Sequence, residues 1–214
     1  ADTLLQYAQT LGQNRHYAQA ESVYQAMLNR DPENVSAWQG RVSLLHQMGR
    51  DPDAITMVER MPPQAYDEAL SDPNFLAMLA AIYQGQNHPD VAQGFLERAV
   101  RIYEADAKAL PIPLQLQVAG LDLERNHADA AYRIYRSVLM DHPELLDGWK
   151  GLLAALHKTG HDADALAQLE QIPPDVKKQL DPDVEFEQTE ASIYAANGNV
   201  RAALGLVTHV EEVY

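Results

Sequence analysis

The sequence has no cysteine, little positive charge and no long apolar run. Without cysteine, the chain cannot form a disulfide, a thiolate nucleophile or a sulfur-ligated metal centre. Its 16 basic residues are scattered among 31 acidic ones, which gives a net charge of −15. This charge disfavours nucleic acid as a partner and favours basic or neutral proteins. The longest apolar run, at 75–83, is about half of the ~20 residues that cross a bilayer, so we expect no direct membrane insertion.

Motifs of catalysis and of cofactor binding are also missing from the sequence. There is no phosphate-binding loop, no dinucleotide fingerprint and no Gly-x-Ser-x-Gly elbow. His157 and His161 have the spacing of two metal ligands on a helix, but Gly160 is predicted to end that helix between them. We therefore expect no catalytic residue, no cofactor and no metal, and a protein that is not an enzyme.

The sequence repeats itself after 111 residues. When residues 1–103 are placed over 112–214, roughly a quarter of the positions are identical without a gap. Trp38 lies over Trp149, Gly49 over Gly160, and Tyr103 over Tyr214. The match indicates two copies of one larger unit.

A shorter period lies inside each copy. Apolar residues recur at three- and four-residue steps around a pair that occurs six times. The pair is an alanine followed four residues later by an aromatic or aliphatic residue: Ala20/Tyr24, Ala54/Val58, Ala92/Leu96, Ala131/Tyr135, Ala165/Leu169 and Ala203/Val207. Such spacing predicts two helices per repeat, with the small alanine allowing their close approach. At five of the six predicted turns the residue is glycine or asparagine, which tolerate the left-handed conformation; the exception is Arg15.

Paired prolines interrupt the helical pattern once in each copy. Pro62–Pro63 and Pro173–Pro174 follow the fourth helix of a copy and precede about ten residues of linker. We expect a short extra helical turn in each linker, followed by an N-cap aspartate with proline at the first helical position, at Asp72–Pro73 and Asp181–Pro182. We expect the acid-rich stretch 181–190 to be a solvated helix start.

The repeat resembles the tetratricopeptide repeat (TPR), whose signature runs Trp, Leu-Gly, Tyr, Ala, Phe and Pro over 34 residues. The best copies run from Trp38 to Pro62 and from Trp149 to Pro173. Departures include Arg41 and Val42 in place of Leu-Gly. The resemblance implies an all-α fold, a right-handed superhelix of six repeats in two triplets, with the first helix of each repeat lining a concave groove.

The resemblance also sets the expected boundaries. It implies one solenoid over 1–214, with repeats at about 1–34, 35–72, 73–111, 112–145, 146–183 and 184–214. Because neither end has a capping helix, we expect a fragment of a longer protein, or self-association through the uncapped ends.

The repeat register predicts which residues face the groove and bind a partner. They are polar and rich in amides: Gln9, Gln39, Ser43, His46, Gln47, Asn74, Gln84, Lys150, His157, Lys158 and Gln188. Such groups suit hydrogen bonding to a peptide backbone or to sugar hydroxyls.

The predicted function is that of a protein–protein interaction scaffold which binds a partner segment in this groove. Irregular repeats with Ile-Pro-Pro linkers also resemble the TPR scaffolds of bacterial exopolysaccharide secretion, such as the cellulose synthase C subunit. That resemblance implies a role in an envelope assembly, and it favours the periplasm over the cytoplasm, as the lack of cysteine also does. The alternative is a carbohydrate-binding or carbohydrate-processing domain that uses His46, His157 and nearby amides, with a polysaccharide as ligand.

Overall fold

The computed structural model describes residues 2–106 and 108–213, and it describes the side chains of 3–106 and 108–206. Every regular element in these residues is an α-helix, and the chain divides into two compact units, Ala1–Leu110 and Pro111–Tyr214. The helices of unit 1 are α1 Asp2–Gln13, α2 Tyr17–Arg30, α3 Val35–Gln47, α4 Asp51–Glu59, α5 Pro63–Ala69, α6 Pro73–Gly85 and α7 Pro89–Ala105. Those of unit 2 are α8 Ile112–Glu124, α9 Ala128–Asp141, α10 Leu146–Lys158, α11 Asp162–Leu169, α12 Pro174–Leu180, α13 Val184–Ala196 and α14 Val200–Val213.

Each unit contains three helix pairs, which the alanine period predicts. In unit 1 the pairs are α1/α2, α3/α4 and α6/α7, and the helices of each pair pack against each other. The six alanines that mark the repeats are buried: Ala20, Ala54, Ala92, Ala131, Ala165 and Ala203. The predicted all-α architecture of paired helices is therefore confirmed. The side chains of Val207 and Tyr214 lie outside the described residues, and the assignment of 1–214 to one solenoid stays a prediction.

The turn inside each pair has the same backbone geometry in all six repeats. The residue after the helix cap has a positive φ in each case: Arg15, Gly49, Asn87, Asn126, Gly160 and Gly198. In the turn after α3, the Gly49 amide donates to the carbonyl of His46, and the Arg50 amide donates to that of Leu45. This is the Schellman arrangement, which satisfies the last carbonyls of the helix. Arg15 adopts the same conformation, with a φ of 61°, without being glycine or asparagine.

The proline linkers form larger elements than the single turn predicted from the sequence. Each linker is a seven-residue helix, α5 or α12, that begins at the second proline. Proline is well tolerated there because the first amides of a helix lack a partner in the helix. Helix α5 buries Ala65 and Ala69, and α12 buries Val176 and Leu180. Each linker helix thus contributes an apolar face to the core of its unit.

The predicted start of the helix that follows the linker is confirmed in unit 1 and wrong in unit 2. Asp72 caps α6 and Pro73 is its first residue, as predicted. In unit 2, however, Asp183 caps α13, whereas Asp181 is the C-cap of α12. The stretch that follows is also not a fully solvated surface, since Glu187 and Glu190 are buried.

Candidate functional site

A cavity of about 500 Å³ opens in unit 1 beside α1, α3 and α6. These are the first helices of the three pairs, and α3 packs against both α1 and α6. We call this cavity the unit 1 groove. Its polar lining residues are Gln9, Gln13, Ser36, Gln39, Ser43, Gln47, Asp72 and Asn74, and the others are Leu5, Gly12, Tyr24, Gly40, Leu44, Phe75 and Met78.

A glycine in the groove lining, Gly40 on α3, allows a close contact with the neighbouring helix α2. A Cβ at Gly40 would lie 2.4 Å from the ring of Tyr24, a residue of α2. The ring therefore packs directly against the backbone of α3, where any other residue would clash. Unit 2 repeats the contact, because a Cβ at Gly151 would lie 2.1 Å from the ring of Tyr135. Burial raises the pKa of the Tyr24 hydroxyl above its ordinary value, and that of Tyr135 to about 12.

Five of the predicted groove residues meet in this one cavity. They are Gln9 on α1, Gln39, Ser43 and Gln47 on α3, and Asn74 on α6. Gln9, Gln47 and Asn74 are exposed, and Gln47 donates from Nε2 to the hydroxyl of Ser43 at 3.3 Å. The groove thus offers both donors and acceptors to a ligand. That these residues bind a partner stays a prediction.

Two predicted groove residues of unit 1 lie elsewhere. His46 sits at the end of α3, and its Nδ1 is 2.7 Å from the carboxylate of Asp51 in the first turn of α4. The imidazole therefore joins the two helices of its own pair. Gln84 lies near the end of α6, beyond the residues that line the groove.

The predicted residues of unit 2 contact several different elements. Lys150 pairs with Asp183, the N-cap of α13, with 2.8 Å between Nζ and Oδ2. His157 contacts Asp162 as His46 contacts Asp51, and Lys158 donates to the carbonyl of Leu123 at 2.6 Å. Lys158 also lines a second cavity of about 460 Å³, beside the start of α9. Gln188 is exposed on α13.

The Lys150–Asp183 pair shifts the titration of both groups. The hydrogen bond to Asp183 is the main cause that raises the pKa of the Lys150 ammonium. The same hydrogen bond, followed by one from the Phe186 amide, lowers the pKa of the Asp183 carboxyl. Both side chains are therefore charged at neutral pH.

The repeat register did not predict several lining residues that lie one helical turn from predicted ones. Gln13 follows Gln9 by four positions, and Met78 follows Asn74 by four. Residues three or four apart share a helix face, so this spacing was available in the sequence. Asp72 was predicted only as a helix cap, and its place in the groove lining was not.

Neither a metal site nor a membrane-spanning helix is found in the part of the chain that the structure describes. Among the described side chains, those of residues 3–106 and 108–206, no group of three histidines or carboxylates is placed to hold a metal ion. The Nδ1 of His161 contacts the hydroxyl of Thr159, whereas that of His157 contacts Asp162. In the same part of the chain, no helix has the length and apolarity that a membrane span requires.

Comparison with known proteins identifies the repeat. The family model of the tetratricopeptide repeat matches residues 13–72. Cellulose synthase operon protein C of Pseudomonas fluorescens (strain SBW25) is 25% identical over 194 residues, which is 86% of this chain and 15% of that protein. The chain thus spans only a small part of this relative.

Solved structures share the fold at low sequence identity. PilW, a widely conserved type IV pilus biogenesis factor, aligns with a TM-score of 0.77 at 17% identity, covering 99% of this chain and 92% of its own. YrrB, a TPR protein with an unusual peptide-binding site, aligns with a TM-score of 0.59 at 16% identity, covering 96% of this chain and 90% of its own. The chain therefore has the TPR fold, and its residues 13–72 match the tetratricopeptide repeat family itself.

Proposed function

We propose that the protein is a non-catalytic scaffold which binds an extended segment of a protein partner in the unit 1 groove. The observation that carries the proposal is the convergence of amide side chains from three helices on one open cavity of about 500 Å³. An extended polypeptide leaves its backbone amides and carbonyls unpaired, and glutamine and asparagine can both donate to and accept from them. A cavity of this size suits a few residues of such a segment.

The groove also has apolar positions for side chains of the segment. Leu5 and Met78 are half-buried in its lining. The two aromatic residues of the lining, Tyr24 and Phe75, are buried and present no ring face to a ligand. This favours a polypeptide over a sugar chain, which would stack on an open ring.

A selection from a library of short random peptides tests the proposal. Ser43→Tyr should abolish recovery of bound peptides, because Ser43 lies half-buried in the groove lining and a tyrosine side chain would fill part of the cavity. The matched control is Ala154→Tyr, at the equivalent half-buried position of α10 in unit 2. Equal recovery with both variants would mean that peptides bind outside the unit 1 groove.

The alternative ligand, a carbohydrate, is tested on the same protein. Short glucans should leave the amide resonances of Gln9 and Gln47 unchanged up to millimolar concentration. If the glucans shift these resonances and no peptide is recovered, the groove binds carbohydrate instead.

The finer proposal places this scaffold in a bacterial envelope or exopolysaccharide secretion assembly, in the periplasm. It is supported by the similarity to cellulose synthase operon protein C, of which the chain covers 15%. The complete reading frame tests it. An export signal and further repeats are expected, and a reading frame that encodes no export signal would contradict the proposal.

A further inference from the structure

We propose that the unit 1 groove binds a lysine or arginine side chain of the partner segment, at the carboxylate of Asp72. This inference rests on the proposed function and names the chemical class that the groove selects. Among the fifteen lining residues that the structure describes, Asp72 is the only charged one.

Asp72 belongs to the groove lining, and only one of its two carboxylate oxygens is used to cap a helix. Its Oδ1 accepts from the amide of Asn74 at 2.9 Å and caps α6. Its Oδ2 lies 3.5 Å from Nε2 of Gln39, which is the outer limit of a hydrogen bond. Gln39 is equally far from the carbonyl of Ala69. The neighbour that the structure shows for Oδ2 is thus a neutral amide and not a cation.

Unit 2 shows what this carboxylate position binds when a cation is available. Lys150 and Asp183 occupy the positions that correspond to Gln39 and Asp72 after the shift of 111 residues. There, Oδ1 of the aspartate accepts from a backbone amide, that of Phe186, at 3.0 Å, and Oδ2 accepts from Nζ of Lys150 at 2.8 Å. In both units one carboxylate oxygen accepts from a backbone amide in the first turn of the helix, and the other lies near the side chain at the Gln39 or Lys150 position.

The substitution of glutamine for lysine thus turns an internal ion pair into an open acceptor. An ammonium or guanidinium group is a far better donor to a carboxylate than an amide, because both partners are charged. The remaining lining offers the amides of Gln9 and Gln47 to the backbone of the segment. The net charge of −15 further favours a basic partner.

Peptides recovered from the random library provide the test. The position that shows enrichment of lysine or arginine is replaced by methionine, which keeps the length of the side chain, and by glutamate. We expect the lysine peptide to bind the wild-type protein about 3- to 10-fold more tightly than the methionine peptide. The glutamate peptide should bind more weakly than both. The lysine advantage should shrink with added salt, because salt screens the pair.

Two variants locate the effect at Asp72. Asp72→Asn removes the charge and keeps an N-cap acceptor for α6. Gln39→Lys copies unit 2 and supplies the cation from within the protein. In both variants the lysine and methionine peptides should bind equally, while circular dichroism shows unchanged helix content.

The possible failures separate the two proposals. If peptides bind in the groove but no basic residue is enriched, or if the lysine advantage survives in Asp72→Asn, the inference is wrong and the proposed function stands. If no peptide binds in the groove at all, both are wrong.

Discussion

The pair Lys177–Glu190 offers the sharpest stability test of unit 2, because unit 1 carries its apolar counterpart. Nζ of Lys177, on α12, lies 2.6 Å from a carboxylate oxygen of Glu190, on α13. The glutamate side chain is only 8% exposed and the lysine 29%. The ammonium also lies 4.5 Å from the centre of the Phe186 ring. The corresponding positions in unit 1 hold Tyr66 and Leu79.

Replacing Lys177 with methionine keeps the packing of the stem and removes the charge. Glu190 would then be buried with no cation at 2.6 Å, a change that typically costs about 3–5 kcal/mol. We therefore expect Lys177→Met to lower the free energy of unfolding of unit 2 by about 3–5 kcal/mol.

The control replaces the pair by the residues of unit 1, in the double variant Lys177→Tyr with Glu190→Leu. Exchanging a buried ion pair for well-packed residues is commonly neutral or stabilising, so the double variant should stay within about 1 kcal/mol of the wild type. Each unit has one tryptophan, and in a Trp38→Phe background the fluorescence of Trp149 reports the urea unfolding of unit 2 alone. A loss below about 1 kcal/mol for Lys177→Met would refute the argument that Glu190 depends on this cation.

Three further predictions concern single residues. Trp149→Ala should lower the free energy of unfolding by about 3–5 kcal/mol in a urea melt followed by circular dichroism, because the indole is buried and donates to the carbonyl of Pro143 at 2.8 Å. Trp38→Ala should cost less, since that indole is only half-buried. Arg15→Gly should raise stability by about 0.5–1 kcal/mol in the same melt, because Arg15 has a φ of 61° and glycine adopts this conformation without strain. Burial, with Asp147 as the next contribution, raises the pKa of Tyr135 from 10.0 to about 12. Below pH 10 the Tyr135 hydroxyl is protonated in both the folded and the unfolded chain. Above pH 10 it ionises first in the unfolded chain, so the free energy of unfolding should fall by about 2–3 kcal/mol up to pH 12. Tyr135→Phe should remove that part of the fall in an alkaline titration.

The architecture was predictable from the sequence because it depends on local periodicity. The buried alanines recur at fixed spacing, and the turns between paired helices need a left-handed residue at a fixed offset from them. Arg15 shows the strength of that requirement, since the repeat imposes the conformation on a residue that disfavours it. Local rules also predicted the start of α6, where Asp72 and Pro73 act in sequence.

The polar contacts were less predictable because they join residues on different helices. The register predicted that His46 faces the groove, but Asp51 lies five residues later, across the turn, and binds its imidazole. The burial of Glu190 likewise depends on Lys177, which the chain brings to it from the preceding helix. Acidic residues near a helix start usually face solvent, so the sequence pattern alone favoured the wrong environment.

The two units show how one backbone supports different polar chemistry. The contact of Tyr24 with Gly40 recurs as that of Tyr135 with Gly151, so this close packing of a tyrosine ring on a helix backbone is retained in both units. By contrast, unit 1 has Gln39 at the half-buried position where unit 2 has Lys150. The neighbouring aspartate, Asp72 or Asp183, caps its helix in both units. Because the cap uses one carboxylate oxygen and the exchange affects the other, the fold places little constraint on which donor the second oxygen receives. The carboxylate in the groove can therefore be paired or left open without a change in helix packing. The variant Gln39→Lys tests this directly. It should alter the peptide preference and leave the free energy of unfolding of unit 1, measured in urea, within about 1 kcal/mol of the wild type.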